Sequence, residues 1–126
     1  MIYGIGTDIV SVARIAGALR RHGVRFAERV LAESEQRAFA EAAKPEQFLA
    51  KRFAAKEAAA KAFGTGFSDG LCMADIAVTH DHRGRPLLNF SGRAESLCKE
   101  LGIGEHFLSI SDEKDNAIAF VTLMRK

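Results

Sequence analysis

Three residues invite chemistry before any others: Asp8, Glu57 and Lys61. Glu57 and Lys61 stand four positions apart within residues 48–66, FLAKRFAAKEAAAKAFGTG, where alanines leave scarcely any polar face from Phe53 onward. An ionisable group beside a packed helix needs a partner, and a metal ion or an anionic ligand satisfies it as well as a second side chain does. Asp8 follows the apolar opening IYGIGT, where a charge has little reason to stand unless it caps the backbone or binds something. If the opening strand lies against the helix, both carboxylates approach one divalent ion. Mg²⁺ suits such a pair, because it uses few protein carboxylates and takes its remaining oxygens from water and phosphate. The same residues also read as a backbone cap at Asp8 and an i,i+4 pair between Glu57 and Lys61, worth roughly a few tenths of a kcal/mol. Spacing leaves both open.

Gly64, Thr65 and Gly66 follow directly. Backbone N–H groups freed by the two glycines, with Lys61 one turn earlier, form a candidate phosphate cradle, although a helix C-terminus presents the wrong dipole to an anion. The order matches neither the P-loop nor the dinucleotide-binding glycine pattern, and a bare GTG is an ordinary helix stop. Arg14, Arg20, Arg21, His22 and Arg25 make the densest basic cluster near one end of the chain. A solvated helix face accounts for it, and so does docking of an acidic partner.

These residues must be positioned by a small set of elements. The apolar run from residue 2 to about residue 7 predicts a strand with Asp8 emerging at its end. Ser11 caps a helix over 12–21 whose buried side carries Val12, Ile15, Ala16 and Leu19. A short helical piece over 24–30 precedes a helix signal over 33–43, with Ser34 as its cap. Pro45 suits the first turn of the central helix, whose start then precedes Phe48, and Gly64 ends it. Strand patterns at 75–80 and 87–90 flank the turn DHRGRP as a hairpin, and Ser91 caps a helix ending near Gly102. Strands over 107–111 and 117–124 flank the turn DEKDN. The sum is an α+β domain with an antiparallel sheet and several helices.

With 126 residues the chain has length for one core, and 48% hydrophobic with 27% charged residues excludes a disordered chain. A formal charge of +2 fits an anionic small molecule or an acidic protein and does not suggest a nucleic-acid binder. MIYGIGTDIV has no basic leader and contains Asp8, so neither a signal peptide nor a membrane span is expected, and the cytoplasm is the expected location. Cys72 and Cys98 lack a ligand pattern and are expected as free thiols.

GIGTDIVSVARI at 4–15, together with the stretch at 48–66, resembles the small bacterial type of the 4′-phosphopantetheinyl transferase superfamily, the holo-acyl-carrier-protein synthases. FLSISDEKDNAIAFV at 107–121 resembles the family's terminal hairpin, so the likeness covers essentially the whole chain in order. The resemblance implies a phosphopantetheinyl transferase-like α+β fold, with an antiparallel sheet packed against a long central helix, in one domain over 1–126. It implies Mg²⁺ held by Asp8 and Glu57, with the diphosphate of coenzyme A and waters completing the shell, and Lys61 at the transferred phosphate. Arg52, Gly64, Thr65 and Gly66 match positions near the nucleotide and diphosphate. The implied reaction moves the 4′-phosphopantetheine arm of coenzyme A onto a serine of apo acyl carrier protein and releases adenosine 3′,5′-bisphosphate, as a step of fatty-acid biosynthesis. Glu57, directly or through water, is the first candidate for the base. Homotrimers with active sites between subunits are implied, and Arg14, Arg21 and Arg25 would meet the acidic helix of the carrier. Family members commonly carry histidine where this chain has Phe107, and often where it has Asp112. His106, one place earlier, would point to the opposite face of its strand. Ser109 and Ser111 remain as polar contacts to coenzyme A. A binding module without activity and a metal-dependent pyrophosphatase are the competing expectations.

Overall fold

The protein, a computed structural model describing residues 1–126, runs β1 (Ile2–Ser11), α1 (Val12–His22), α2 (Val24–Val30), a 3-10 turn (Glu33–Glu35), α3 (Gln36–Glu41) and α4 (Pro45–Phe63). A second 3-10 turn (Met73–Asp75) leads into β2 (Ile76–His80) and β3 (Pro86–Phe90), followed by α5 (Gly92–Leu101), β4 (Ile103–Asp112) and β5 (Asn116–Arg125). β1, β5 and β4 form an antiparallel sheet in that order, and β2 and β3 form a separate hairpin. α4 lies across the inner face of the sheet, against β1 and β5.

The sheet's two faces differ because strand side chains alternate. Register places Gly6, Val121 and Leu108 in one inward row, and Asp8, Ala119 and Ile110 in the next. The outward rows are Ile5, Thr122 and Phe107, then Thr7, Phe120 and Ser109, then Ile9, Ile118 and Ser111. Ile5, Ile9, Ile118, Phe120 and Phe107 stand exposed on that outer face, Phe107 at 51%. Five large apolar side chains on one uncovered sheet face make a patch of the kind that marks an assembly surface.

Inside, α4 touches β1 at backbone distance. A Cβ on Gly6 would lie 2.0 Å from the Ala58 carbonyl oxygen and one on Gly4 would lie 2.1 Å from that of Ala62. Only residues without a side chain permit this contact. Ala54, Ala55, Ala58, Ala59 and Ala62 are buried on the helix, so small residues on both elements let it settle onto the sheet. One contiguous apolar cluster spans α1, α2, α4, α5 and both sheets. No helix is long and apolar enough to cross a membrane, and both cysteines are free.

Several local expectations are corrected. β1 does not end at Thr7, because its pairing with β5 continues to Ser11 opposite Asn116, and Asp8 therefore sits within the strand. The segment over 33–43 divides into the 3-10 turn and α3, and Ser34 does not cap it. The Glu35 carboxylate instead accepts the Ala32 N–H at 2.8 Å. Ser91 precedes α5, yet its side chain makes no capping bond. Ser11 does cap α1, accepting the Arg14 N–H at 3.3 Å.

Candidate active site

Register and close packing place the reactive groups. Asp8 lies two residues beyond Gly6 on the same face of β1, the face turned to α4. Glu57 precedes Ala58, whose carbonyl Gly6 touches, and Lys61 follows Glu57 by one turn. The Lys61 ammonium donates to Asp8 Oδ1 at 3.1 Å and to the Thr7 carbonyl at 2.9 Å. The helix pair between Glu57 and Lys61 does not form: Lys61 bridges to the strand instead. Burial and then the neighbouring Asp8 charge push the Glu57 carboxyl above the usual carboxylate range, with Lys61 opposing them.

A carboxyl whose proton affinity a neighbouring carboxylate raises describes a place short of positive charge. Their donor chemistry fits Mg²⁺, being hard oxygen supplied by Asp8 and Glu57. The absence of a third His, Cys, Asp or Glu ligand leaves the remaining positions to water and phosphate. Lys61 has used two of its three donors, and its side chain stays half exposed, so one N–H is open to an anion beside the pair.

The glycine cradle is corrected. Gly64 N–H donates to the Lys61 carbonyl and Gly66 N–H to that of Ala60, at 3.0 and 3.2 Å. Both amides therefore close the C-terminus of α4 rather than stand free for phosphate. Thr65 Oγ1 is bonded to the Gly66 carbonyl at 2.8 Å.

Arg52 stands apart from that cluster. Its Nη1 donates to Glu35 Oε2 at 2.8 Å and to the Val78 carbonyl at 2.7 Å, and its guanidinium lies over the Phe48 ring at 4.4 Å. It floors a cleft lined also by Lys51, His80, Pro86, Ile110 and Asp112. Burial first, then Arg52 and Lys51, hold the His80 imidazole below its ordinary value, with Asp81 opposing them. A cleft with the clamped Arg52 guanidinium, a second cation at Lys51 and a histidine whose protonated form is disfavoured is built to receive negative charge.

The basic face of α1 and α2 is a third feature. Arg21, His22, Arg25 and Arg29 surround one shallow cleft, with Glu28 at its edge. Arg14, Arg20 and Arg21 rim a neighbouring groove floored by Ile15, Phe26 and Phe53. None of these arginines is in a salt bridge. An apolar floor with an unpaired arginine rim matches an amphipathic acidic helix.

Residues 4–121 match the family model described as ACPS, 4′-phosphopantetheinyl transferase superfamily. A holo-[acyl-carrier-protein] synthase of Halorhodospira halophila is 56% identical over 124 residues, covering 98% of both chains. The chain belongs to the holo-[acyl-carrier-protein] synthases of this superfamily. A crystal structure of such a synthase from Neisseria meningitidis superposes with a TM-score of 0.95 at 45% identity, over 99% of this chain and 100% of that one. The Bacillus anthracis synthase in complex with CoA (3′,5′-ADP) gives a TM-score of 0.83 at 38% identity, over 100% and 99%. This synthase is a phosphopantetheinyl transferase that moves the arm of coenzyme A onto a serine of apo acyl carrier protein.

The synthase fold brings Asp8, Glu57 and Lys61 together, holds Arg52 in a separate cleft and groups Arg14, Arg21 and Arg25 on one surface. Ser109 and Ser111 lie on the outer sheet face, away from Asp8. His106 turns inward and meets the Phe90 ring at 5.0 Å, opposite in direction to Phe107. Sequence reasoning missed Lys51 and His80 in the cleft, and it gave Lys56 no role. Lys56 is 0% exposed and bonded to Glu35 at 2.5 Å. Glu35 carried no sequence signal of that role, since its partner is 21 residues away.

Proposed function

We propose that Asp8, Glu57 and Lys61 form the reaction centre of this synthase, within one transferase domain over 1–126. The observation that carries this is the juxtaposition of two carboxylates and a half-free ammonium where β1 meets α4. Asp8 and Glu57 would hold Mg²⁺, which would supply charge neutralisation and orientation to the coenzyme A diphosphate. Lys61 offers its open N–H to the oxygens of the transferred phosphate and the departing bisphosphate. The carrier serine oxygen bonds to the phosphorus on the pantetheine side as the bond to adenosine 3′,5′-bisphosphate breaks. Glu57 takes the serine proton at its carboxylate. Gly64, Thr65 and Gly66 shape the end of α4 beside Lys61.

The cleft of Lys51, Arg52 and His80 takes the anionic nucleotide end of coenzyme A. Protonated His80 is disfavoured by burial and then by its cationic neighbours Arg52 and Lys51, so an anion in the cleft raises its pKa. Nucleotide affinity correspondingly rises as pH falls through the range between that raised value and the lowered one of the free protein. An NMR titration of His80 with and without adenosine 3′,5′-bisphosphate reads this directly. An unmoved pKa at saturation places the nucleotide elsewhere.

The outer sheet face makes the contacts of a homotrimer. Ser109 and Ser111 then stand at a subunit boundary, from which they reach coenzyme A held by a neighbouring subunit. Arg14, Arg21 and Arg25 receive the acidic carrier. Arg14→Glu raises KM for apo carrier by about tenfold or more while KM for coenzyme A stays within about twofold, since rim charges govern encounter. Equal loss for both substrates contradicts the docking role. The transfer itself is read from the mass of apo carrier after incubation with coenzyme A and Mg²⁺. The phosphopantetheine increment is the expected result, and an unchanged mass with a competent carrier overturns the proposal.

A further inference from the structure

Beneath the nucleotide cleft lies a group of charges that the reaction centre does not use. Glu35 has all four acceptor positions filled: Oε1 receives the Lys56 ammonium and the Ala32 N–H, and Oε2 receives Arg52 Nη1 and the Val78 N–H. Lys56 spends all three donors, on Glu35 Oε1, the Val30 carbonyl and the Met73 carbonyl. Three bonds to acceptors require three protons, so Lys56 is an ammonium. Arg52 is charged at any accessible pH. One carboxylate therefore faces two cations, and the buried group carries one positive charge too many.

The surplus has one outlet. Val30, Ala32, Met73 and Val78 contribute only backbone groups, and Lys56 has no N–H left. Arg52 alone retains unused donors: no protein group accepts from its Nε or Nη2, and neither is sealed from solvent. The guanidinium is clamped on three sides by Glu35, the Val78 carbonyl and the Phe48 ring, and its open edge belongs to the cleft wall.

We infer that Lys56 and Glu35 are positioning residues for the transfer reaction: Glu35 fixes the Arg52 guanidinium, and Lys56 cancels the Glu35 charge so that Arg52 keeps its own for an anionic phosphate in the cleft. Were Lys56 absent, Glu35 and Arg52 would neutralise one another and the cleft would lose its grip on the anion. The inference rests on the proposal that this cleft holds the nucleotide end of coenzyme A. It makes a residue that touches no substrate a determinant of coenzyme A affinity.

Charge counting supplies the test. Lys56→Met keeps the length of the side chain and removes the surplus, leaving Glu35 and Arg52 balanced. Glu35→Gln combined with Lys56→Met restores one net positive charge on Arg52. Steady-state kinetics on the folded trimeric enzyme should show KM for coenzyme A raised about tenfold in Lys56→Met, with KM for carrier within about twofold. In the double variant KM for coenzyme A should return to within about threefold of the native value. A purely structural Lys56 lowers the amount of active enzyme, hence the apparent kcat, without moving KM, and makes the double variant no better than the single. Either result overturns the inference. Arg52→Gln separates this from the underlying site proposal. If Arg52→Gln leaves KM for coenzyme A unchanged, the cleft is not the nucleotide site. If it raises KM and Lys56→Met does not, the cleft stands and the positioning role fails. If Lys56→Met does not fold, the double variant is compared with Glu35→Gln alone. The charge account then requires the two to agree in KM for coenzyme A within about threefold, because without the Glu35 charge Lys56 has nothing to cancel, and a KM about tenfold higher in the double variant overturns it.

Discussion

Gly6→Ala lowers the stability of this protein by about 3 kcal/mol, a decline of roughly 10 °C in melting temperature for a chain of this size, and lowers the transfer rate of the protein that remains folded. The added methyl carbon would stand 2.0 Å from the Ala58 carbonyl oxygen, 2.7 Å from the Ala62 nitrogen and 2.9 Å from the Lys61 Cβ. Two of those atoms are helix backbone, which yields only if α4 moves off β1. The movement separates Glu57 and Lys61 on the helix from Asp8 on the strand, so packing and chemistry fail together. Gly104→Ala is the control. Its Cβ would approach the Lys126 Cγ at 2.9 Å, an atom of a flexible side chain that can turn away. That change should cost less than about 0.5 kcal/mol and leave the rate intact. Thermal melts with parallel rate measurements check both. A Gly6→Ala protein with native stability would show that β1 and α4 are not in backbone contact.

Asp8→Ala and Glu57→Ala should each reduce transfer by on the order of a thousandfold, about 4 kcal/mol of transition-state stabilisation, without a matching loss of fold. The two differ in their effect on stability, and the difference has a sign. Asp8 is partnered by a half-exposed Lys61, and removing that pair costs about 1 kcal/mol or less. Glu57 is a carboxylate held above its usual range by burial and by Asp8, so near neutral pH its ionised form weakens the free protein. Glu57→Ala therefore melts no lower than native protein, and slightly higher where Mg²⁺ is withheld. The penalty for the ionised form disappears as pH falls through the raised pKa, so the gain from Glu57→Ala shrinks in acid. A large loss of melting temperature in Glu57→Ala would mean that the glutamate is chiefly structural.

Much of this arrangement was legible in local pattern. The alternation at 117–124, the alanine run ended by Gly64 and the cap at Ser11 are written in a few adjacent residues each, and the elements formed where those signals lie. Asp8 and Glu57 were legible as charges out of place. What sequence pattern did not carry was set by distant contacts. β1 outlasts its apolar run because β5 offers it partners as far as Asn116. Lys61 turns to Asp8 rather than Glu57 because Gly6 draws the strand close enough to compete. Lys56 carried no signal of its role, since nothing near it announces that Glu35 and two carbonyls wait on the other side of the helix. The glycines after Phe63 suggested free amides, but closing a helix consumes those same donors.

The measurement that reaches most directly to the centre is a double-mutant cycle on transfer rate, with Asp8→Asn, Glu57→Gln and the two combined, each confirmed folded and assayed over a range of Mg²⁺. If the two carboxylates hold one cation, losing either loses the site. The single variants and the double variant should then lie within about tenfold of one another, all about a thousandfold below native. Additive losses, with the double variant near the product of the singles, or a single variant that keeps near-native transfer at ordinary Mg²⁺, would contradict a shared site where β1 meets α4.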